Sequence, residues 1–245
     1  MSVRRELKTA FFRFFGSRRA AQVLRHKRRP PVVRSTLHGA LLDLQSRADQ
    51  IGILQIGAYD GESFDPLRSF LREFECQAVL VEPVQESFSR LRALYDRRAG
   101  ITLVNAAITA DGSPARLYRV SPDFDGDYRT LGALTTTRRD VLASHEQEFP
   151  GLSSHIEYFE VEGVSPDELL RLFDGGRPDV IVVDTEGFDW ELLRLLVVDR
   201  IKPAVVYFEH KHLAAAELRE SVATLTRAGY ELVVDDGNVL AIRLE

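Results

Sequence analysis

At 245 residues, 44% hydrophobic and 28% charged, the sequence has room for one sizeable core and the balance of a globular protein. A single cysteine, Cys76, excludes an intrachain disulfide and a cysteine-cluster metal site, and no stretch reaches the ~18 apolar residues of a spanning helix. The net charge of -5 hides an asymmetry: residues 1–34 hold eleven Lys or Arg against one acid, Glu6, which leaves 35–245 at about -15.

Residues 2–15 read as an amphipathic helix. Val3, Leu7, Ala10, Phe11, Phe14 and Phe15 share one face of a 3.6-residue period, and Arg4, Arg5, Lys8 and Arg13 avoid it. Aromatics opposite arginines suit the interface of an anionic membrane. The same face also suits a second subunit or the chain's own core. Arg13 interrupts the apolar run, which argues against a signal peptide. Gly16 ends the helix, and Pro30 and Pro31 close a basic linker over 25–31. The linker has no interleaved aromatics and the rest of the chain is acidic, so no nucleic-acid partner is expected. Residues 1–34 are thus an extension and 35–245 the folded domain. The single cysteine fits a reducing, cytoplasmic setting, with the extension as the candidate contact to a membrane's inner face.

Ser35 is a good N-cap for a helix that carries Leu37, Leu41, Leu44 and Ala48. An apolar run of strand length over 51–56 ends in a turn holding Gly57 and Gly61, after which Phe64, Leu67, Phe70 and Leu71 recur at helical spacing. Strands are expected at 77–82, 101–108, 115–120, 155–164, 179–184 and 204–208. Helices are expected at 84–95 (Phe88, Leu91 and Leu94 inward), at 137–148, after a capping box at Ser165, at 188–198 and at 213–228. The chain closes in a hairpin, 230–234 and 239–244, around Asp235 to Asn238. Strands alternating with helices predict an α/β sheet. The polar segment 121–150, with Asp123, Asp125, Asp127 and Tyr128, is long and irregular enough to serve as a lid or acceptor wall.

Several strand ends carry chemistry. Gly57 and Gly61 permit positive φ or a close backbone approach, and their G-x-x-x-G spacing is not the dinucleotide fingerprint. Glu82 ends the second strand, where a carboxylate can accept both hydroxyls of a ribose. Asn105, Ala106 and Ala107 end the third and leave room for a flat base. Asp184 and Glu186 end the fourth; two carboxylates at a sheet's carboxyl edge are expensive to bury unpaired and point to a cationic partner, a metal or proton transfer. Glu209, His210 and His212 follow the next strand, where a neutral histidine can act as a base. Their spacing matches no specific metal pattern, and no metal ligand is assigned.

Together these features resemble class I S-adenosylmethionine-dependent methyltransferases, and more closely the FkbM family. The resemblance spans about 53–244. It rests on Gln55-Ile-Gly-Ala-Tyr-Asp-Gly61, Val81-Glu82-Pro83, Asn105-Ala-Ala-Ile108, Val183-Asp-Thr-Glu-Gly187 and the closing hairpin. It implies a Rossmann-like sheet of seven strands, six parallel and one antiparallel. It also implies S-adenosyl-L-methionine held by Gln55, Gly57, Ala58, Tyr59, Asp60, Gly61, Glu82, Pro83, Asn105, Ala106, Ala107 and Asp184. Methyl transfer to a hydroxyl of a sugar, glycan or other small acceptor follows from it, with Glu186 as the first candidate base, His210 the second and Asp184 beside them. The family usually has an acid where this chain has Gln55, so Asp60 or Asp184 is expected to meet the cofactor's ammonium. Two rival readings are a nucleotide-sugar or NAD-binding enzyme, and a membrane-docked module with a degenerate cofactor site. The missing third glycine of the fingerprint argues against NAD.

Overall fold

The computed structural model describes residues 36–124, 134–196, 201–235 and 237–243. The extension 1–34 with its amphipathic face, the boundary at 34/35, the Ser35 cap and residues 125–133 of the polar segment lie outside the described residues. Thr36 caps α1 (Leu37–Gln45), its Oγ1 accepting from the Gly39 amide at 3.1 Å. β1 (Gly52–Ile56) leads to α2 (Arg68–Glu73), and β2 (Gln77–Val81) to α3 (Gln85–Tyr95). Then come β3 (Ile101–Val104), β4 (Ala107–Ile108), β5 (Ala115–Val120), β6 (Thr135–Thr136), α4 (Arg139–Ala143), β7 (Ile156–Val161), β8 (Gly163–Val164) and α5 (Pro166–Leu170). β9 (Val180–Val183), α6 (Asp189–Leu196), β10 (Val205–Glu209), α7 (Ala215–Arg227), β11 (Tyr230–Val234) and β12 (Asn238–Arg243) complete the described order.

The central sheet has seven strands in the order β11-β12-β10-β9-β1-β2-β3. From β10 to β3 all pairings are parallel. β12 pairs antiparallel with both β10 and β11. In the central sheet β12 alone runs against the other six strands, so the closing hairpin supplies the reversed strand through two antiparallel pairings. Further antiparallel pairings lie outside it, where the strand at 115–120 pairs with β6 and β7 in a separate sheet.

The parallel strands are apolar without interruption because both faces are covered. Leu54, Ile56, Val79, Val81, Ile181 and Val183 point to one face, where α5, α6 and α7 contribute Leu169, Trp190, Leu193 and Leu225. Ile53, Ala78, Leu80, Val180 and Val182 point to the other, against Leu41 of α1, Phe70 and Leu71 of α2, and Leu91 and Tyr95 of α3. Three layers result. The order reverses about β1, which has β2 on one side and β9 on the other; this is where an open sheet leaves a crevice at its strands' carboxyl ends.

Some elements differ from the sequence expectation. The strand expected at 101–108 divides at Asn105. The Asn105 side-chain amide donates to the carbonyls of Glu82 at 2.8 Å and Pro83 at 3.1 Å, and β4 then pairs with β8. The strand expected at 155–164 divides in turn, β7 going to the outer sheet and β8 to β4. The helix expected over 137–148 is only α4 followed by a 3₁₀ turn, Ser144–Gln147. Leu94 is 44% exposed, and Tyr95 takes the inward place instead. Phe64 is 89% exposed with φ 58°, so the first loop runs on to Leu67 before α2 begins. The Ser165 capping box forms as expected: the Ser165 hydroxyl accepts from the Glu168 amide and Glu168 reaches back to the Ser165 amide.

Candidate cofactor and acceptor site

A cavity of about 430 Å³ opens at the carboxyl ends of β1, β2, β9 and β10. Gln55, Gly57, Ala58, Tyr59, Glu82, Pro83, Ala106, Ala107, Asp184 and Glu186 line it, so the structure brings most of the expected site residues together. Asp60, Gly61, Asn105 and His210 are not in its wall. The Asp60 carboxylate is turned into its own loop, accepting from the amides of Glu62 and Ser63 and from the Ser63 hydroxyl. Gly61, at φ 71°, packs on α3, where a Cβ would come within 2.7 Å of Leu91 Cδ1. Asn105 acts from behind the wall, bracing the Glu82–Pro83 turn.

The first loop is locked at Gly57. Its amide and that of Ala58 both donate to the Val81 carbonyl at 3.0 Å. Its φ is 80°, and a Cβ there would lie 1.7 Å from the Asp184 carbonyl oxygen, so only glycine lets β1 and β9 end this close together. Tyr59 follows with φ 48°. Its amide donates to Glu82 Oε2 and the Val84 amide to Glu82 Oε1, both at 2.8 Å. Glu82 is 4% exposed, and burial pushes its carboxyl up to about 7 against the pull of those two amides.

The other end of the cavity is crowded with acids. Asp184 is exposed along the wall; desolvation by the surrounding protein, then the carboxylates of Glu209, Glu186 and Asp189, raise its pKa. Glu186 sits at φ 53°, a conformation uncommon outside glycine, and its carbonyl accepts from the Thr136 hydroxyl at 2.7 Å. Asp189 is fully buried beneath it. Its carboxylate takes the Thr185 amide and hydroxyl and the Gly187 amide, which holds the Asp184–Gly187 turn. Leu134, Thr135, Thr136 and Thr137 form part of the wall, so the described end of the polar segment lines the cavity.

The sequence model of the Methyltransferase FkbM domain matches residues 55–232, most of the chain and all of the cavity's acidic and glycine loops. The chain belongs to the FkbM methyltransferase family. Its members are S-adenosylmethionine-dependent enzymes of the class I fold. Among solved structures, the chain is similar to the methyltransferase FkbM of Methylobacillus flagellatus, with 15% identity and a TM-score of 0.47 over 79% of this chain and 44% of that one. It is also similar to precorrin-6y C5,15-methyltransferase of Geobacter metallireducens, with 13% identity and a TM-score of 0.40 over 84% and 87% of the two chains. A third likeness is to Aeropyrum pernix fibrillarin in complex with S-adenosyl-L-methionine, at 11% identity and a TM-score of 0.39 over 78% and 66%. No curated protein sequence matches the chain.

In this FkbM chain two residues stand where sequence reasoning pointed to others: Asp65, which it did not name, and His212, which it named only beside His210. Asp65 lines the cavity ten positions after Gln55, and the Gln55 side-chain amide donates to its Oδ1 at 3.0 Å. The signal for it was the missing charge at Gln55 itself, but a partner found through space leaves no spacing to read. The second is His212. His210 is buried and its Nε2 meets the Asp235 carbonyl at 3.0 Å, whereas His212 Nε2 lies 2.9 Å from Glu186 Oε2. That contact raises the His212 pKa, with the Glu186 hydrogen bond as the first cause.

Proposed function

We propose that the chain transfers the methyl group of S-adenosyl-L-methionine to a hydroxyl oxygen of a sugar, glycan or other small acceptor. The observation that carries this is Glu82: a carboxylate at the end of β2, held by the Tyr59 and Val84 amides and set in the cavity wall beside the glycine turn of β1. Each of its oxygens keeps a lone pair for a ribose hydroxyl. Ala106 and Ala107 leave space alongside for the adenine.

The residues present fit the cofactor's amino acid end as well. Asp65 Oδ1 is taken by Gln55 and by the Leu67 amide at 2.9 Å, while Asp65 Oδ2 and Gln55 Oε1 are buried without a hydrogen-bond partner among the described residues. Orphaned buried oxygens are rare and costly, and a cofactor ammonium satisfies both. Asp65, rather than Asp60, then supplies the charge that Gln55 lacks. Asp65→Asn is expected to weaken S-adenosylhomocysteine roughly tenfold or more, the worth of a charge-assisted hydrogen bond. Methylthioadenosine, which has no amino acid end, should bind as before. Calorimetry with both ligands checks this, and equal losses for the two would remove Asp65 from the ammonium.

When bound, the cofactor supplies an electrophilic sulfonium methyl. The chain's own work is to orient the acceptor oxygen in line with it, exclude water and take the hydroxyl proton. The carbon–sulfur bond breaks as the carbon–oxygen bond forms, and the proton passes to a carboxylate of the acidic end, with Glu186 the first candidate and Asp184 beside it. Thr135 to Thr137 and Lys211 offer hydroxyl and ammonium groups of the kind that recognise a polyol. The test is transfer of a labelled methyl to a panel of sugars and glycans. A base-stable methyl ether with a methoxy carbon resonance is expected; label found only on carbon or as a base-labile ester would overturn the hydroxyl reading.

A further inference from the structure

Glu186 follows β9, Glu209 ends β10 and His212 lies three residues further on. His212 Nε2 is 2.9 Å from Glu186 Oε2 and 3.8 Å from Glu209 Oε2, and one ligand-type atom from each residue falls within 4.8 Å of the other two. Glu209 is only 9% exposed. Its Oε1 takes Lys211 Nζ at 2.9 Å, but its Oε2 is buried without a hydrogen-bond partner among the described residues, and Glu186 Oε2, also buried, has the His212 imidazole nitrogen at 2.9 Å. Two carboxylate oxygens in one buried spot are costly unless something neutralises both. His212 cannot do so alone. Its Nε2 carries at most one hydrogen, and 3.8 Å to Glu209 is beyond hydrogen-bond reach. Lys211 is already turned to the other Glu209 oxygen. Asp184 and Asp189 add two more carboxyls to the same neighbourhood.

We propose that Glu186, Glu209 and His212 bind a divalent transition cation at the acceptor end of the cavity. A cation is multivalent where an N–H is not, so it takes the orphaned Glu209 oxygen, the Glu186 oxygen and the imidazole nitrogen at once. Two carboxylates and one imidazole form a mixed oxygen and nitrogen set suited to Mn²⁺ or Zn²⁺. Three protein ligands leave positions open for an oxygen of the acceptor. The cation's role, though not its binding, rests on the methyl-transfer reading. A carboxylate alone is a weak base for an alcohol, and a hydroxyl held on a divalent cation gives up its proton far more readily. With Glu186 holding the cation, the hydroxyl proton would go to Asp184 on the same wall as the oxygen takes the methyl and the carbon–sulfur bond breaks.

The full chain, stripped with a chelator, is titrated with Mn²⁺ and followed by electron paramagnetic resonance and calorimetry. One bound Mn²⁺ per chain is expected, with a rise in the thermal unfolding midpoint. Glu209→Gln and His212→Ala should each weaken binding roughly tenfold or more, while leaving S-adenosylhomocysteine affinity in place. If one variant fails to fold, the other decides. No Mn²⁺ bound at millimolar concentration, or unchanged binding in a folded variant, overturns the site. Retained S-adenosylhomocysteine binding in that case leaves the methyltransferase reading standing, and Mn²⁺ bound without S-adenosylhomocysteine binding would overturn that reading alone.

Discussion

Gly57→Ala is expected to destroy cofactor binding and lower the unfolding midpoint. The added Cβ would lie 1.7 Å from the Asp184 carbonyl oxygen, a backbone atom that no rotamer change can move aside. The Asp184 amide is itself tied to the Ile56 carbonyl at 2.9 Å, so the ends of β1 and β9 must part to admit the methyl. Overpacking and a left-handed non-glycine residue together cost about 2–5 kcal/mol, or a drop of roughly 5 °C or more in a domain of this size. Scanning calorimetry and S-adenosylhomocysteine titration check both effects. A variant with an unchanged midpoint would mean that the two strand ends are not in contact.

Glu82→Ala carries the second large effect. Losing two charge-assisted bonds to a ribose is worth on the order of 1.5–3 kcal/mol for each bond, so S-adenosylhomocysteine affinity should fall at least about tenfold. The wild-type affinity should also depend on pH. Glu82 has its pKa raised from 4.5 to about 7 by burial, and the ribose hydroxyls donate to its ionised form. Affinity therefore rises as pH passes upward through about 7 and levels off above it. Stability of the ligand-free domain runs the other way. The folded state keeps its proton where the unfolded chain has lost it, so between 4.5 and about 7 rising pH costs stability at this group. Asp189, raised to about 7 chiefly by burial, acts in the same direction. Glu82→Gln should flatten the pH dependence of binding, and a profile identical to wild type would remove Glu82 from the ribose.

Much of the cavity was legible in the sequence because parallel strands buried on both faces give unbroken apolar runs, and their carboxyl ends are punctuated by glycine and acid. That is how Gly57, Glu82, Asp184 and Glu186 were found from order and spacing alone. What escaped depends on contacts through space. Asp65 is recognisable only from its bond to Gln55. His212 displaces His210 because β10 ends at Glu209: His210 turns toward the hairpin carbonyl of Asp235, and the chain needs two more residues to come back to Glu186. Asn105 falls inside an apolar strand pattern, yet its side-chain amide donates to the Glu82 and Pro83 carbonyls and ends the strand there. Periodicity also misled at Phe64 and Leu94, where helical spacing continues past the point at which the backbone is helical or the face is covered.

The central claim is that the crevice between β1, β2 and β9 holds S-adenosylmethionine through Glu82. Isothermal titration of the full chain with S-adenosylhomocysteine and, separately, with NAD tests it most directly. The account predicts saturable heat with S-adenosylhomocysteine, none with NAD, and a loss of tenfold or more in Glu82→Ala. Absence of heat with S-adenosylhomocysteine at millimolar concentration, or equal binding by the Glu82 variant, would contradict it.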